Sequence, residues 1–266
     1  MLSQGYTHAK LEISTVCAES GLTIPERVYY SAPFKLTNFF RLPNGGIEYI
    51  LMNASAGIMA GDNYQIDLQL AKGSQLLISA QSFEKIHAMP ADTAKRKVNI
   101  QIAENASLIY IPLPTIPFQD SAFVSATEIQ LLSVSSRLIY SDIISSGRTL
   151  RNERFAFTQY HNLLSVYLGD KIVYRDNCYL VPTEQNLASC GMFEGYSHLG
   201  NLIIYGYLFD SADLAVIQEI INESGLDCGI SALTGGGHLV RVLSHGAEPI
   251  TELFNSIKKI ILSLNK

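Results

Sequence analysis

Alternation of apolar and polar residues with a period of two limits this chain more than any other feature. Leu11, Ile13 and Thr15 alternate with Glu12 and Ser14. Tyr64, Ile66, Leu68 and Leu70 alternate with Gln65, Asp67 and Gln69, and Val98, Ile100 and Ile102 with Asn99 and Gln101. A period of two puts one set of side chains on a buried sheet face and the other toward solvent, so each run predicts a half-buried strand. Turn residues separate the runs: Asn44-Gly45-Gly46, Gly61-Asp62-Asn63, Lys72-Gly73-Ser74, Glu104-Asn105-Ala106 and Gly169-Asp170. No long helical pattern interrupts them, which argues against parallel sheets made from strand–helix–strand units.

The runs also repeat. Ile66-x-Leu68-x-Leu70 followed by Ala71-Lys72-Gly73-Ser74-Gln75-Leu76-Leu77-Ile78 resembles Val98-x-Ile100-x-Ile102 followed by Ala103-Glu104-Asn105-Ala106-Ser107-Leu108-Ile109-Tyr110. A partial third copy places Ile129-x-Leu131 before Arg137-Leu138-Ile139-Tyr140. Leu76, Leu108 and Leu138 therefore recur 32 and then 30 residues apart. A strand–turn–strand unit with a near-constant period predicts stacked layers, as in a β-helix.

The last fifth changes period. Ser211 is placed to cap a helix containing Leu214, Ile217, Ile220 and Ile221 and ending near Ser224-Gly225. A second helix is predicted from Glu248-Pro249 through Ile250, Leu253, Phe254, Ile257, Ile260, Ile261 and Leu264, with Lys258, Lys259 and Lys266 toward its C-terminal end. Two strands, Gly229 to Thr234 and His238 to Ser244, lie between them. No linker rich in Pro, Ser or charge divides the chain. The expectation is a mostly β, β-helix-like stack of layered strands with two α-helices near the C-terminus, forming a single domain over residues 1–266.

Composition narrows the function. Charged residues make up 16% of the chain and apolar ones 47%, against about 25% charged in ordinary soluble proteins. Such a surface fits either a large core or a large interface with another protein. Net charge −5 and pI near 5.7 argue against nucleic acid. The apolar stretch from Leu202 to Phe209 carries a glycine and is too short to span a bilayer. Residues Met1 to His8 have neither a cationic start nor an apolar core, so a cytoplasmic location is expected and no membrane partner. Cys17, Cys178, Cys190 and Cys228 are scattered, with no C-x-x-C pair.

Catalytic motifs are fragmentary. Ser82-Phe83-Glu84-Lys85 matches S-x-x-K, which would make Ser82 and Lys85 the centre of a serine-dependent hydrolase, but its S-D-N and K-T-G companions are missing; Ser141-Asp142-Ile143 is no substitute. Gly235-Gly236-Gly237-His238 lacks the Gly-Lys-Ser/Thr end of a phosphate loop. The histidines at positions 8, 87, 161, 198, 238 and 245 show no i,i+2 or i,i+4 pairing, so spacing supports no preformed metal cage. Arg148 and Glu153 read as an ion pair, and Asp62 as a turn aspartate bonded to its own backbone or as a ligand.

Separated segments then fit one family. Ala56-Gly57-Ile58-Met59-Ala60-Gly61-Asp62 resembles the GG-x-x-x-GD segment of the urease accessory protein UreD family, called UreH in some bacteria, with Ala56 in place of the first glycine. Ser79-Ala80-Gln81-Ser82-Phe83-Glu84-Lys85-Ile86 is similar to its T-x-Q-x-x-x-K-[IV], with Ser79 for Thr. Pro114 to Phe118 resembles its P-x-x-x-x-F stretch, and Gly147-Arg148 with Glu153 and Phe155 its G-R-x-x-x-x-E-x-F segment. Gly191 to His198 resembles the UreH branch. The order holds over roughly residues 30 to 210.

The resemblance implies a non-enzymatic chaperone with a β-helix-like fold. It implies a complex with a UreF-like accessory protein, a UreG-like GTPase and apo-urease, and delivery of nickel along a polar internal passage. No tightly bound cofactor is expected, only nickel(II) in transit. A conduit needs oxygen and water ligands that release the ion, not a closed His/Cys cage. Polar residues set among apolar strands are the expected lining: Asp62, Ser79, Gln81, Asp142 and Glu153. Gly57, Gly61, Lys85, Gly147, Arg148 and Phe155 are expected to shape the turns that carry the motifs.

Overall fold

The structure is a computed structural model in which residues 7–264 are described. Residues 1–6 of the segment read for a signal peptide, and Lys266, lie outside the described residues. Each alternating run forms a strand whose apolar residues face inward. The first are β1 (His8–Cys17), β2 (Thr23–Tyr30), β3 (Phe34–Leu36), β4 (Phe40–Arg41) and β5 (Ile47–Asn53). The repeated units follow: β6 (Asn63–Leu70), β7 (Gln75–Ala80) and β8 (Glu84–Ile86); β9 (Ala94–Ile102), β10 (Ser107–Ile111) and β11 (Thr115–Pro117); then β12 (Ala122–Leu131) and β13 (Arg137–Ser145). The chain continues through β14 (Gln159–Leu168), β15 (Lys171–Leu180) and β16 (His198–Tyr205) to α1 (Ser211–Glu223), β17 (Asp227–Leu233), β18 (Gly237–Ser244) and α2 (Ala247–Leu264).

The repeat is a physical stack. One sheet has the order β15-β14-β12-β9-β6-β1-β2 and the other β17-β18-β16-β13-β10-β7-β5-β3. Each unit contributes one strand to the first sheet and one to the main path of the second, with β8 and β11 paired at the side of the second, and successive units pair in parallel. Leu108 lies opposite Leu76 on one side and Leu138 on the other. Likewise Ile66 pairs with Val98, Leu68 with Ile100 and Leu70 with Ile102. A turn of a few residues carries the chain from one sheet to the facing one, so parallel pairing arises here without crossover helices.

Two apolar layers result. Leu68, Leu76, Ile100, Leu108, Ile129 and Leu138 fill the space between the sheets. On the other face of the second sheet, Ile139, Ile143, Leu202, Ile204, Val240 and Val242 meet Ile217 and Ile221 of α1 and Ile250, Phe254 and Ile257 of α2. The cap of α1 is Asp210 rather than Ser211. Its carboxylate accepts from the amides of Ala212 and Asp213 while Asp213 bonds back to the Asp210 amide, closing a capping box. Lys258 and Lys259 sit before the final turn of α2, which contains no basic residue. The sheet keeps the two strands expected between the helices, shifted by one or two residues, as β17 and β18. Among the described residues no helix is long and apolar enough to cross a membrane.

Candidate functional site

Inward-facing positions of a stacked sheet form lanes, and one lane departs from the apolar rule. Across β6, β9, β12, β14 and β15 the residues in register are Tyr64, Arg96, Ser125, Asn162 and Cys178. The facing sheet answers with Tyr110 beside Tyr140, and with Asp142 opposite Asn201, itself opposite Arg241. A cavity of about 180 Å³ lies between the sheets, lined by Arg96, Tyr110, Tyr140, Asp142, Tyr160 and Asn162. Exposed residues Ala56, Ser82, Phe83 and Lys85 line its outer end.

Charges in this interior are paired. Arg96 Nη1 donates to both carboxylate oxygens of Glu84 at 2.7 and 2.6 Å, and its Nε donates to Ser125 Oγ at 3.2 Å. Its guanidinium also lies 5.2 Å from the centre of the Phe123 ring. Asp142 accepts from Asn201 Nδ2 at 2.9 Å and from Asn162 Nδ2 at 3.1 Å. Asn201 Oδ1 in turn accepts from Arg241 Nε at 2.8 Å, and Arg241 Nη2 reaches Asp176 Oδ1 at 3.3 Å. Arg241 and Asp176 line a second cavity of about 470 Å³, with Cys178, Glu194 and Cys228. One hydrogen-bonded chain, Asn162–Asp142–Asn201–Arg241–Asp176, therefore joins the two cavities.

Burial sets the protonation of this lining. It pushes the Asp142 carboxyl up to about 6, against the hydrogen bond from Asn201 that favours the charged form. It raises the phenol of Tyr110 to about 12 and those of Tyr140 and Tyr160 further, so all three stay neutral. Burial, with the Asp142 and Asp176 charges, lifts the Cys178 thiol to about 12, so it is a neutral thiol at this wall. The Oδ1 atom of Asn162, one of the lining residues, is buried with no hydrogen-bond partner, an unsatisfied acceptor. Among the described residues no three His, Cys, Asp or Glu side chains converge as a metal cage. The interior thus offers neutral oxygens and the Asp142 carboxyl as weak, reversible ligands for a hard or borderline cation, beside guanidinium groups tied to Glu84 and Asp176.

Of the five lining residues expected from sequence, the structure places Asp142 alone in the cavity between the sheets. Asp62 is buried at a turn, where its Oδ2 accepts from the Met59 amide at 2.8 Å and the Tyr64 hydroxyl at 3.0 Å. Ser79 donates to Glu48 Oε1 at 2.8 Å beside a groove against α2, lined also by Lys258. Gln81 is exposed after β7, and Glu153 receives a two-pronged ion pair from Arg148. Ser82 sits on a bend and Lys85 in β8, where the chain is extended. Both line the outer end of the first cavity, and no hydrogen bond joins Ser82 to Lys85 among the described residues. Glu84, Arg96, Tyr110, Tyr140, Tyr160, Asn162, Asn201 and Arg241 were not among the expected residues. Arg96, Ser125 and Asn162 carry the signal that finds them: each is a polar residue at an inward position of its strand, and all fall in one lane once the repeat is aligned.

Similarity to known proteins identifies the family. A family model described as UreD urease accessory protein matches residues 7–264. The chain is 33% identical over 264 residues to the urease accessory protein UreD of Acetivibrio thermocellus, covering 97% of each chain. It is 35% identical over 254 residues to the urease accessory protein UreH of Helicobacter pylori strain J99, covering 95% of this chain and 94% of the relative. To the urease accessory protein UreD of Haemophilus influenzae it is 34% identical, covering 97% and 100%. The chain belongs to the UreD urease accessory protein family.

The UreD motif segments meet at one end of the stacked strands. Ile58 forms a parallel bridge with Ile86, Lys85 lies opposite Ile116 in β11, and Thr115 lies opposite Ile144. The amide of Ile58 donates to Lys85 O, that of His87 to Ile58 O, and that of Phe118 to Ile86 O. A Cβ on Gly57, which has φ +149°, would fall under 3.0 Å from the Lys85 carbonyl oxygen and the His87 ring. Gly147, at φ +139°, meets the Glu153 carbonyl in the same way. The Arg148 guanidinium stacks 4.1 Å over Phe118, whose ring is 4.9 Å from that of His87, and His87 Nε2 lies 3.1 Å from Ala56 O. Segments separated in sequence thus pack together at this end of the strands, and residues of the first three of them also line the first cavity.

Proposed function

We propose that this chain is a scaffold of urease maturation that passes nickel(II) to apo-urease along the polar interior, in a cytoplasmic complex with a UreF-like protein and a UreG-like GTPase. The hydrogen-bonded chain from Asn162 to Asp176, with a cavity at each end, is the observation that carries this reading. Nickel moving along it would meet the Asp142 carboxylate, the open Asn162 carbonyl and neutral phenols, each a weak oxygen ligand. The two guanidinium groups are tied to Glu84 and to Asp176, which holds their charge against the walls. Membership of a urease accessory family supports the destination of the cargo. The partners follow the family resemblance.

Cells carrying the urease genes test the proposal. Without this chain, urease should assemble but contain little nickel. Asp142→Ala should leave recovery of the accessory complex unchanged and lower the nickel content of urease. Normal urease activity in the deletion strain would refute the maturation role. Full nickel loading with Asp142→Ala would refute the passage.

A further inference from the structure

Helix α2 leaves part of the second sheet uncovered. It rests on β18, β16 and β13, and beyond it the same outer face continues over β10, β7 and β5. Ile139, packed beneath the helices, lies in register with Ile109, Ile109 with Leu77, and Leu77 with Glu48. This lane therefore runs from packed core to a carboxylate. A groove of about 310 Å³ follows the border, floored by Leu77, Ile109, Ile111 and Ile143 and walled by Phe254 and Lys258 of α2. No residue of the hydrogen-bonded chain from Asn162 to Asp176 lines it.

Two opposite charges face this groove without meeting. Glu48 Oε1 accepts from Ser79 Oγ at 2.8 Å, and its Oε2 has no partner among the described residues. Lys258 Nζ donates to Asn255 Oδ1 at 2.8 Å, which uses one of the three donors of an ammonium. Elsewhere Glu12, Glu84, Glu104, Glu153 and Asp176 each hold a cation. Glu48 and Lys258 enter no ion pair among the described residues, although both are half-buried. Burial lowers the Lys258 ammonium from its ordinary value while the Glu48 charge raises it, so the two interact across the groove without contact. A partly desolvated charge without a counter-charge is costly, and a small zwitterion supplies both counter-charges at once. We propose that the groove binds a free α-amino acid with an aliphatic side chain, its ammonium on Glu48, its carboxylate on Lys258 and its side chain on Leu77 and Ile111. The volume stands at the lower end of the ~300–1,000 Å³ of ligand sites, which suits one small molecule rather than a segment of another chain.

Equilibrium dialysis of the full chain against radiolabelled L-leucine tests this. Binding should saturate at one site per chain with a Kd below about 1 mM. Three analogues each remove one feature: leucinamide the carboxylate, isocaproate the ammonium and glycine the side chain. Each should compete roughly tenfold less well than leucine. Glu48→Gln and Lys258→Met should each weaken binding about tenfold, and leucine should raise the thermal midpoint of the parent chain but not of the double variant. The analogues act on the parent, so they decide the matter even where a variant does not fold. Absence of saturable binding up to about 10 mM leucine would overturn the proposal. Leucinamide or isocaproate binding as tightly as leucine would reduce the groove to an apolar hole and overturn it too. So would parent-like binding by both folded variants, which would put the amino acid elsewhere. The nickel passage is tested separately, by the nickel content of urease, and neither result decides the other.

Discussion

Replacing Asp142 by asparagine should stabilise the protein at neutral pH. Its carboxyl titrates at about 6 when folded, against 3.8 for a free aspartate, because burial penalises the charge. That difference corresponds to about 3 kcal/mol of preference for the neutral form. Water reaching the cavity wall screens part of it, which leaves about 1–3 kcal/mol. The folded state therefore holds a proton that the unfolded chain has released between pH ~4 and ~6, so this group's contribution to stability falls as pH rises through that window and is flat above it. The substitution need not break the network. A side-chain carbonyl at position 142 keeps the bond from Asn201, and its amide can donate to the unpartnered Oδ1 of Asn162 after that side chain rotates. The assay is urea unfolding followed by far-ultraviolet circular dichroism, since the chain has no tryptophan, for both proteins from pH ~4 to ~8. Taking the difference between them cancels the carboxylates elsewhere, such as Glu12 and Glu153, whose ion pairs give the opposite pH dependence. Asp142→Asn should be about equal to the parent near pH 4 and more stable by about 1–3 kcal/mol at pH 7. A less stable variant at pH 7, or a difference that does not change with pH, would refute this account of the cavity.

Leu108→Ala, at a fully buried position stacked between Leu76 and Leu138, should cost about 2–5 kcal/mol in the same unfolding assay. Leu132→Ala, 56% exposed on a neighbouring turn, should change stability by less than about 0.5 kcal/mol, and equal costs would contradict the layered core. Asp210→Ala should lower the protection of α1 amides from hydrogen exchange by about 1 kcal/mol, whereas Ser211→Ala should leave it unchanged; the reverse ranking would reject the observed cap.

The alternation in Tyr64–Leu70 and Val98–Ile102, with the 32- and 30-residue spacing of Leu76, Leu108 and Leu138, already contained the layered β architecture. Local side-chain period decides which face of a strand is buried, and a recurring unit buries its apolar face only by stacking on its own copies. The period change after Ser211 located both helices for the same reason. The motif segments were equally legible, and the glycines at 57 and 147 stand where close backbone contacts leave no room for a Cβ. Only the fold brought Arg96 against Glu84, ran a hydrogen-bonded chain from Asn162 to Asp176, and packed the motif segments together at one end of the strands. The Arg96–Glu84, Asn162–Asp142 and Arg241–Asp176 contacts join residues from opposite sheets, and no local period records which polar side chain will face which. Their partners decide their chemistry: an aspartate in a strand is an ordinary acid until burial between two sheets raises its carboxyl to about 6.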